Sequence, residues 1–187
     1  LQVCGYIENM HPGRCDEPLG GLPVYWIDEA GSLADEHRAI CCLGTTRRQG
    51  FIQQAAERGF TFISVVHPTS RISGRSAVAP GCLVGPGVMV SSNTKLRAHV
   101  RVNRGVLIGH DTEIGAYTTI QPGANIAGGC RLGQGCYVGM SATILDSLTI
   151  GSGCVIGAGA VVTKDLPDRV MAVGVPARII RENIENK

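Results

Sequence analysis

From Ile72 to Val162, every sixth residue is Leu, Ile or Val, with no break in register. The run is Ile72, Val78, Val84, Val90, Leu96, Val102, Ile108, Ile114, Ile120, Ile126, Leu132, Val138, Ile144, Ile150, Ile156 and Val162. Four positions after the aliphatic stands mostly a small or β-branched residue, as at Ser76, Cys82, Thr94, Thr112, Ala124 and Cys136, with Leu148 an outlier. Glycine often follows the aliphatic directly, as at Gly85, Gly109, Gly115, Gly133, Gly139, Gly151 and Gly157. A period of six suits neither an α-helix nor a half-buried strand. It suits a hexapeptide β-helix, in which each hexad is one short strand plus a corner. The aliphatic fills a narrow interior, the small residue fits the next corner, and glycine is expected to supply corner dihedrals that a Cβ resists. Three hexads make a triangular coil, so residues eighteen apart stack at about 4.8 Å, and roughly five coils give a prism about 25 Å long. An interior of this kind needs no large rings, and only 4% of the residues are aromatic.

The 187 residues leave room for a second, smaller domain before the prism, and a boundary is expected at residues 66 and 67. The net charge of +2 gives no reason to expect nucleic acid or an acidic membrane as a partner. No apolar run is long enough to span a bilayer, and no secretory leader pattern opens the chain. The chain opens at Leu1 rather than Met, so a preceding segment is expected. Of the eight cysteines, Cys82, Cys130, Cys136 and Cys154 fall at the small position of a hexad, and Cys41 and Cys42 lie in an apolar run. That placement argues for reduced, buried thiols in a cytoplasmic protein rather than a disulfide framework.

Residues 1–66 read as α/β. Leu1–Ile7 has strand character and ends in Glu8 and Asn9, and Leu22–Trp26 could be a short strand after a Gly/Pro-rich loop. Asp28–Glu36 has weak helix character, and Arg38–Leu43 and Phe60–Val66 read as buried strands. Between the last two, Thr45 or Thr46 can cap a helix through Glu57 whose apolar face is Phe51, Ile52, Ala55 and Ala56, closed by Gly59. Strand, helix, strand in this order points to parallel βαβ units and a Rossmann-like domain. Glu8, Asn9, Thr45 and Thr46 would then sit at the carboxyl ends of strands, where a Glu can bind a ribose hydroxyl and a helix N-terminus a phosphate. After the prism, Met171–Val175 reads as extended, and Ile179–Lys187 as a short helix.

Polar residues that packing does not explain cluster between Arg101 and Gln121. His110 is the most informative, because imidazole is the usual general base near neutral pH. Asp111, or Glu113, could orient it. Asn103 could hydrogen-bond a substrate or the ring. The other histidine of the repeats is His99, and an open zinc site needs a third ligand, so no metal is expected.

The stretch from Val102 to Ile180 resembles the sugar-nucleotide acetyltransferases of the bacillosamine and perosamine pathways and the related sialic-acid O-acetyltransferases. The matching residues are VNRGVLIGHDTEIGAYTTIQPGANIAGGCRLGQGCYVG, TIGSGCVIGAGAVVTKDLP and MAVGVPARII. Gly5–Asn9 and Leu43–Arg47 extend the likeness into the first half, and the family's first strand and Gly-rich loop would precede Leu1. The resemblance implies a left-handed parallel β-helix, a homotrimer, acetyl-CoA in the groove between neighbouring copies, and a nucleotide sugar held by the N-terminal domain together with Asn103. It implies His110 as base supported by Asp111. It puts acetyl-CoA against Thr119, Gly128, Met140, Gly157 and Ala158, with Arg178 near the CoA phosphates. Bacillosamine-type members carry a second histidine where this chain has Thr119.

The activity so implied is transfer of acetyl from acetyl-CoA to the amino group of a nucleotide-linked amino or dideoxyamino sugar. Acetyl transfer to a hydroxyl, on a sugar such as sialic acid, would use the same scaffold and base. A non-catalytic assembly module is the alternative of another class, and it would have no use for His110, Asp111 and the GVPAR ending together.

Overall fold

A computed structural model describes residues 2–45 and 48–184. The chain forms two compact units, one of residues 1–39 and 49–62, the other of residues 40–48 and 63–187.

The second unit is a parallel β-helix with three faces. The first face holds Arg71–Ile72, Met89–Val90, Leu107–Ile108, Asn125–Ile126, Thr143–Ile144 and Val161–Val162, paired in that order. The second holds Ala77–Val78, Lys95–Leu96, Glu113–Ile114, Arg131–Leu132 and Thr149–Ile150. The third runs from Val65–Val66 through Leu83–Val84, Arg101–Val102, Thr119–Ile120, Tyr137–Val138 and Val155–Ile156 to Met171–Val173. Each strand is two residues long until the last, and the second residue points inward. From Val84 onward every hexad aliphatic is buried, whereas Ile72 and Val78, in the first coil, are half-buried. Burial of such side chains contributes roughly 1.5–3 kcal/mol each, which makes the interior stack the main source of stability.

The coil begins one strand earlier than the sixfold count suggests, at Val65–Val66 paired with Leu83–Val84. It also ends with a shortened turn. Leu166 bridges Ile150 and Met171 pairs with Val155, each two residues ahead of the usual register. The expected helix from Ile179 is a strand instead. Arg178–Arg181 folds back antiparallel onto Met171–Val173, whose free edge offers hydrogen-bond partners that an isolated nine-residue helix lacks.

Two glycine positions do different work. Every sixth residue from Gly81 to Gly159 has a positive φ, and Asn93, His99, Asp111, Tyr117, Ser141 and Ser147 occupy this column without being glycine. The glycine directly after the aliphatic, expected to supply the corner dihedral, is needed for space. A Cβ on Gly115 would lie 2.4 Å from the Gly133 carbonyl carbon, and one on Gly139 would lie 2.5 Å from the Ala158 nitrogen.

The small corner residues form a second ladder. Thr94 Oγ1 donates to Gly109 O at 2.7 Å, and Thr118 Oγ1 to Gly133 O at 3.1 Å. Cys82, Cys130 and Cys136 thiols donate to the equivalent carbonyls at 3.1 Å, and Cys154 to Pro167 O at 3.0 Å. These four thiols are buried, and all eight cysteines are free. Cys41 and Cys42 are less covered than the apolar run suggests, half-buried and exposed respectively.

The first unit is smaller in regular structure than its sequence suggests. Tyr6–Glu8 pairs parallel with Val24–Trp26. A helix spans Gln49–Glu57, buries Ile52 and Ala55, leaves Ala56 exposed, and ends at Gly59 with φ +90. The expected strand over Arg38–Leu43 is reduced to a single bridge from Ala39 to Phe62. Further on, the Cys42 carbonyl is taken by the Arg101 guanidinium at 2.5 Å rather than by a neighbouring strand. Ile27, Ala30, Ala34, Ala55 and Phe60 form a small separate core. Among the described residues no helix is long and apolar enough to cross a membrane.

The two glycine classes give a direct comparison. Gly115→Ala is expected to cost roughly 1–3 kcal/mol by overpacking against backbone. Gly105→Ala, at φ +66 with no atom within 4 Å of the new Cβ, is expected to cost about 1 kcal/mol, from conformation alone. Chemical denaturation of the two variants measures the difference.

Candidate active site

His110 and Asp111 occupy the corner between the first and second faces, held by their own backbone. Asp111 N donates to Ser92 O in the preceding coil at 2.9 Å, and Gly129 N in the following coil donates to His110 O at 2.8 Å. Gly109 lets the chain enter this corner, because a Cβ there would lie 2.4 Å from Gly128 N. The His110 ring lies against Gly128. A Cβ on Gly128 would stand 2.9 Å from His110 Nε2 and 3.0 Å from Cε1.

The ring is exposed, with 68% of the side chain accessible, and its Nδ1 is 2.8 Å from Asp111 Oδ2. An ionised carboxylate only accepts, so Nδ1 carries the hydrogen and Nε2 keeps a lone pair for an incoming proton. Asp111 Oδ1 accepts from Asn93 Nδ2 at 2.9 Å. The donations from Asn93 and His110 hold the Asp111 carboxyl below its usual value. Glu113 is not the orienting acid: it faces out from the second face and binds Arg97 at 2.6 Å. Asn93 escaped the sequence reading, although the stacking of residues eighteen apart places it directly before Asp111.

The other expected site residues divide between places. Asn103, Met140 and Ala158 lie on the edge between the third and first faces, one edge away from His110 and Gly128. Asn103 donates to Ile120 O at 3.1 Å and lies 3.4 Å from Gln121 Oε1, so within the chain it serves its neighbours and not the His110 ring. With His67, Arg101 and Arg104 it lines a shallow cavity of about 410 Å³. Met140 and Ala158 are exposed, Gly157 sits beside Val173, and Arg178 is exposed on the final strand with Nη1 turned to Ala177 O at 3.0 Å.

Thr119 is placed differently from the expectation that it meets the cofactor. Its side chain is fully buried, and its hydroxyl accepts from Arg48 Nη1 at 2.8 Å. Arg48 is itself 1% exposed and also donates to Thr45 O at 2.7 Å, His99 O at 2.6 Å and Thr118 O at 3.3 Å. Burial lowers its pKa, yet the ring of oxygens suits a cation. Arg48 therefore ties the Thr45 carbonyl to the third face. Nothing in the hydropathy pattern marks it, since an arginine after two threonines reads as a solvated helix start. His99 stacks on Tyr117 at 5.2 Å and 6°, a packing role.

Glu8 and Asn9 do end a strand, but both are engaged within the first unit. Glu8 Oε1 accepts from the backbone N–H groups of Asn9, Met10 and His11 at 3.0, 2.7 and 3.3 Å, and Oε2 pairs with Arg14 at 3.2 Å. Burial alone would raise the Glu8 carboxyl. The Met10 amide and Arg14 outweigh it and hold the pKa below the usual value. Asn9 Nδ2 donates to Gln54 at 2.9 Å. Thr45 is half-buried, and Thr46 lies outside the described residues. Among the described residues no three His, Cys, Asp or Glu side chains are grouped as ligands of a metal.

A three-faced coil of hexapeptide repeats is the fold of the bacterial hexapeptide transferases. Residues 129–164 match the family model described as bacterial transferase hexapeptide (six repeats). A variant of perosamine N-acetyltransferase from Caulobacter crescentus, in complex with CoA and GDP-perosamine, is 30% identical, with a TM-score of 0.84 over 90% of this chain and 82% of that one. The acetyltransferase domain of PglB from Neisseria gonorrhoeae, in complex with acetyl coenzyme A, is 30% identical, with a TM-score of 0.81 over 87% of this chain and 80% of that one. WeeI from Acinetobacter baumannii is 28% identical, with a TM-score of 0.86 over 94% and 85%. No curated protein matches in a comparison of sequences. The chain belongs to the hexapeptide-repeat sugar-nucleotide N-acetyltransferase family, and its coil is the left-handed β-helix of that family.

Gly128→Ala is expected to set a methyl against Nε2 of His110 and to lower kcat by about tenfold or more while the fold is retained. Steady-state release of CoA, alongside circular dichroism, measures it.

Proposed function

We infer that the protein transfers the acetyl group of acetyl-CoA to the amino group of a nucleotide-linked amino sugar, with His110 as general base. The observation that carries this reading is the exposed His110 ring, oriented through Nδ1 by Asp111 with Nε2 left free. Family membership supports it, and so do the relatives that hold CoA with GDP-perosamine and acetyl coenzyme A.

In this reading the amine nitrogen attacks the thioester carbonyl carbon, and a C–N bond forms as the carbonyl π pair moves to oxygen. His110 Nε2 takes the proton that the amine loses. Collapse of the tetrahedral centre breaks the C–S bond, and CoA leaves as a thiolate that receives the proton from His110. Asp111 stabilises the transient imidazolium. A positioned base contributes about 10²–10⁴-fold, and holding both reactants in one cleft contributes more. No covalent acyl-enzyme is needed. The buried thiols of Cys130, Cys136 and Cys154 point away from such a role.

We further propose a homotrimer with acetyl-CoA between neighbouring copies. The support is geometric. His110 and Gly128 stand on one edge of the prism, and Asn103, Met140 and Ala158 on the next, so a second copy would bring the two sets face to face. Met140, Gly157 and Ala158 would line the pantetheine arm, and Arg178 would meet the CoA phosphates. Asn103 and Thr45 would contact the nucleotide sugar, while Glu8 shapes its own loop. We place the protein in the cytoplasm, where acetyl-CoA is supplied and free thiols stay reduced.

His110→Ala is expected to cut turnover at least about a hundredfold. The melting temperature should hold, since the ring is exposed. Free CoA is followed with a panel of nucleotide-linked amino and hydroxy sugars. Near-normal turnover of the variant would overturn the assignment of the base, and acetylation of hydroxyls alone would overturn N-acetylation.

A further inference from the structure

We propose that Asn93 is a positioning residue for the acetyl transfer, acting through Asp111 to hold His110 in its reactive orientation. The inference rests on the reading of His110 as the base.

Three observations carry it. Asn93 Nδ2 lies 2.9 Å from Asp111 Oδ1, and Asp111 Oδ2 lies 2.8 Å from His110 Nδ1, so the carboxylate is held at both oxygens. The Asp111 side chain is otherwise open, with 57% accessible, so water competes for its oxygens and a second anchor restrains it. Asn93 and Asp111 also share an unusual backbone. Both lie in the left-handed region, at φ 59 and 54, in a column of the fold that glycine occupies at Gly129 in the next coil. Glycine would fit Asn93's left-handed backbone without steric strain, so the side chain can be removed without disturbing the corner.

The chemistry of the donor matters. An amide N–H restrains the carboxylate without neutralising it, so Asp111 keeps its full charge for the imidazolium that forms during transfer. The other charged groups acting on Asp111 are His110 itself and Arg75, in the coil below Asn93, which act along with the two hydrogen bonds.

Asn93→Gly separates the side chain from the backbone. The variant keeps the left-handed corner, so its melting temperature should equal or exceed that of the wild type. kcat should fall about tenfold, the value of one hydrogen bond to a charged group. KM for acetyl-CoA and for the acceptor should stay unchanged. In an Asp111→Asn background the same substitution should have no further effect, because the two residues act as one unit. Asn93→Asp, which sets a carboxylate against Asp111 in place of the donor, should fall below Asn93→Gly. Wild-type kcat in Asn93→Gly would overturn the proposal, and so would an equal loss in both backgrounds. His110→Ala in the same assay separates the two ideas. An inactive His110→Ala beside a fully active Asn93→Gly removes the role of Asn93 and leaves the base in place. An active His110→Ala removes both.

Discussion

The hydrogen-bond ladder that ties each coil to the next sets every other distance in the second unit. Backbone N–H groups donate along the coil axis at close to 2.9 Å, as from Arg101 to Thr118, Thr119 to Cys136 and Tyr137 to Cys154. Each bond contributes about 1 kcal/mol net. Its larger effect is geometric, because it fixes the register and so decides which side chains stack. A register fixed this way explains the interior column of aliphatics and the corner column of hydroxyls and thiols. It also explains the glycines that would otherwise strike the coil above, such as Gly115 and Gly139.

The same register shapes the chemistry. A triangular coil has to turn sharply at every corner, and here it does so through one left-handed residue per hexad. For a side chain other than glycine that conformation costs on the order of 1 kcal/mol, less for Asn and Asp, whose short polar groups bond locally. The acid beside the proposed base therefore comes at low conformational cost as Asp111, with Asn93 stacked beneath it. His99 and Tyr117 pay more for the same backbone, and they recover part of it by stacking on one another.

The prism was legible because a period of six has one physical interpretation, and because stacking turns sequence distance into spatial distance. His110 and Asp111 stood out for the same reason, as residues that the ruler does not account for. Arg48 was not legible. Its burial depends on carbonyls of His99 and Thr118 that only the folded coil presents, and local sequence gives no hint of them. The resemblance implies that Thr119 meets the cofactor, whereas in the folded chain the Arg48 guanidinium binds its hydroxyl. The final strand was missed because helix propensity near Ile179 is a local signal, and the open edge at Met171–Val173 is a tertiary one. Before the prism, apolar runs such as Arg38–Leu43 suggest strands. A strand needs a neighbour as well as a composition, and here Ala39 finds only Phe62.

A rigid prism also limits what one chain can do by itself. Side chains on neighbouring edges are separated by a whole face, and the ladder leaves no hinge with which to close that separation. His110 with Gly128 and Asn103 with Met140 cannot be brought to one acyl group by bending. A cleft enzyme closes loops over its substrates to gain proximity, whereas in the proposed trimer it would come from apposition of surfaces. On the proposed reading, the reaction is therefore coupled to assembly through geometry. A substitution that loosens the meeting of copies should depress turnover in the same manner as one at the base, while each isolated prism stays fully folded.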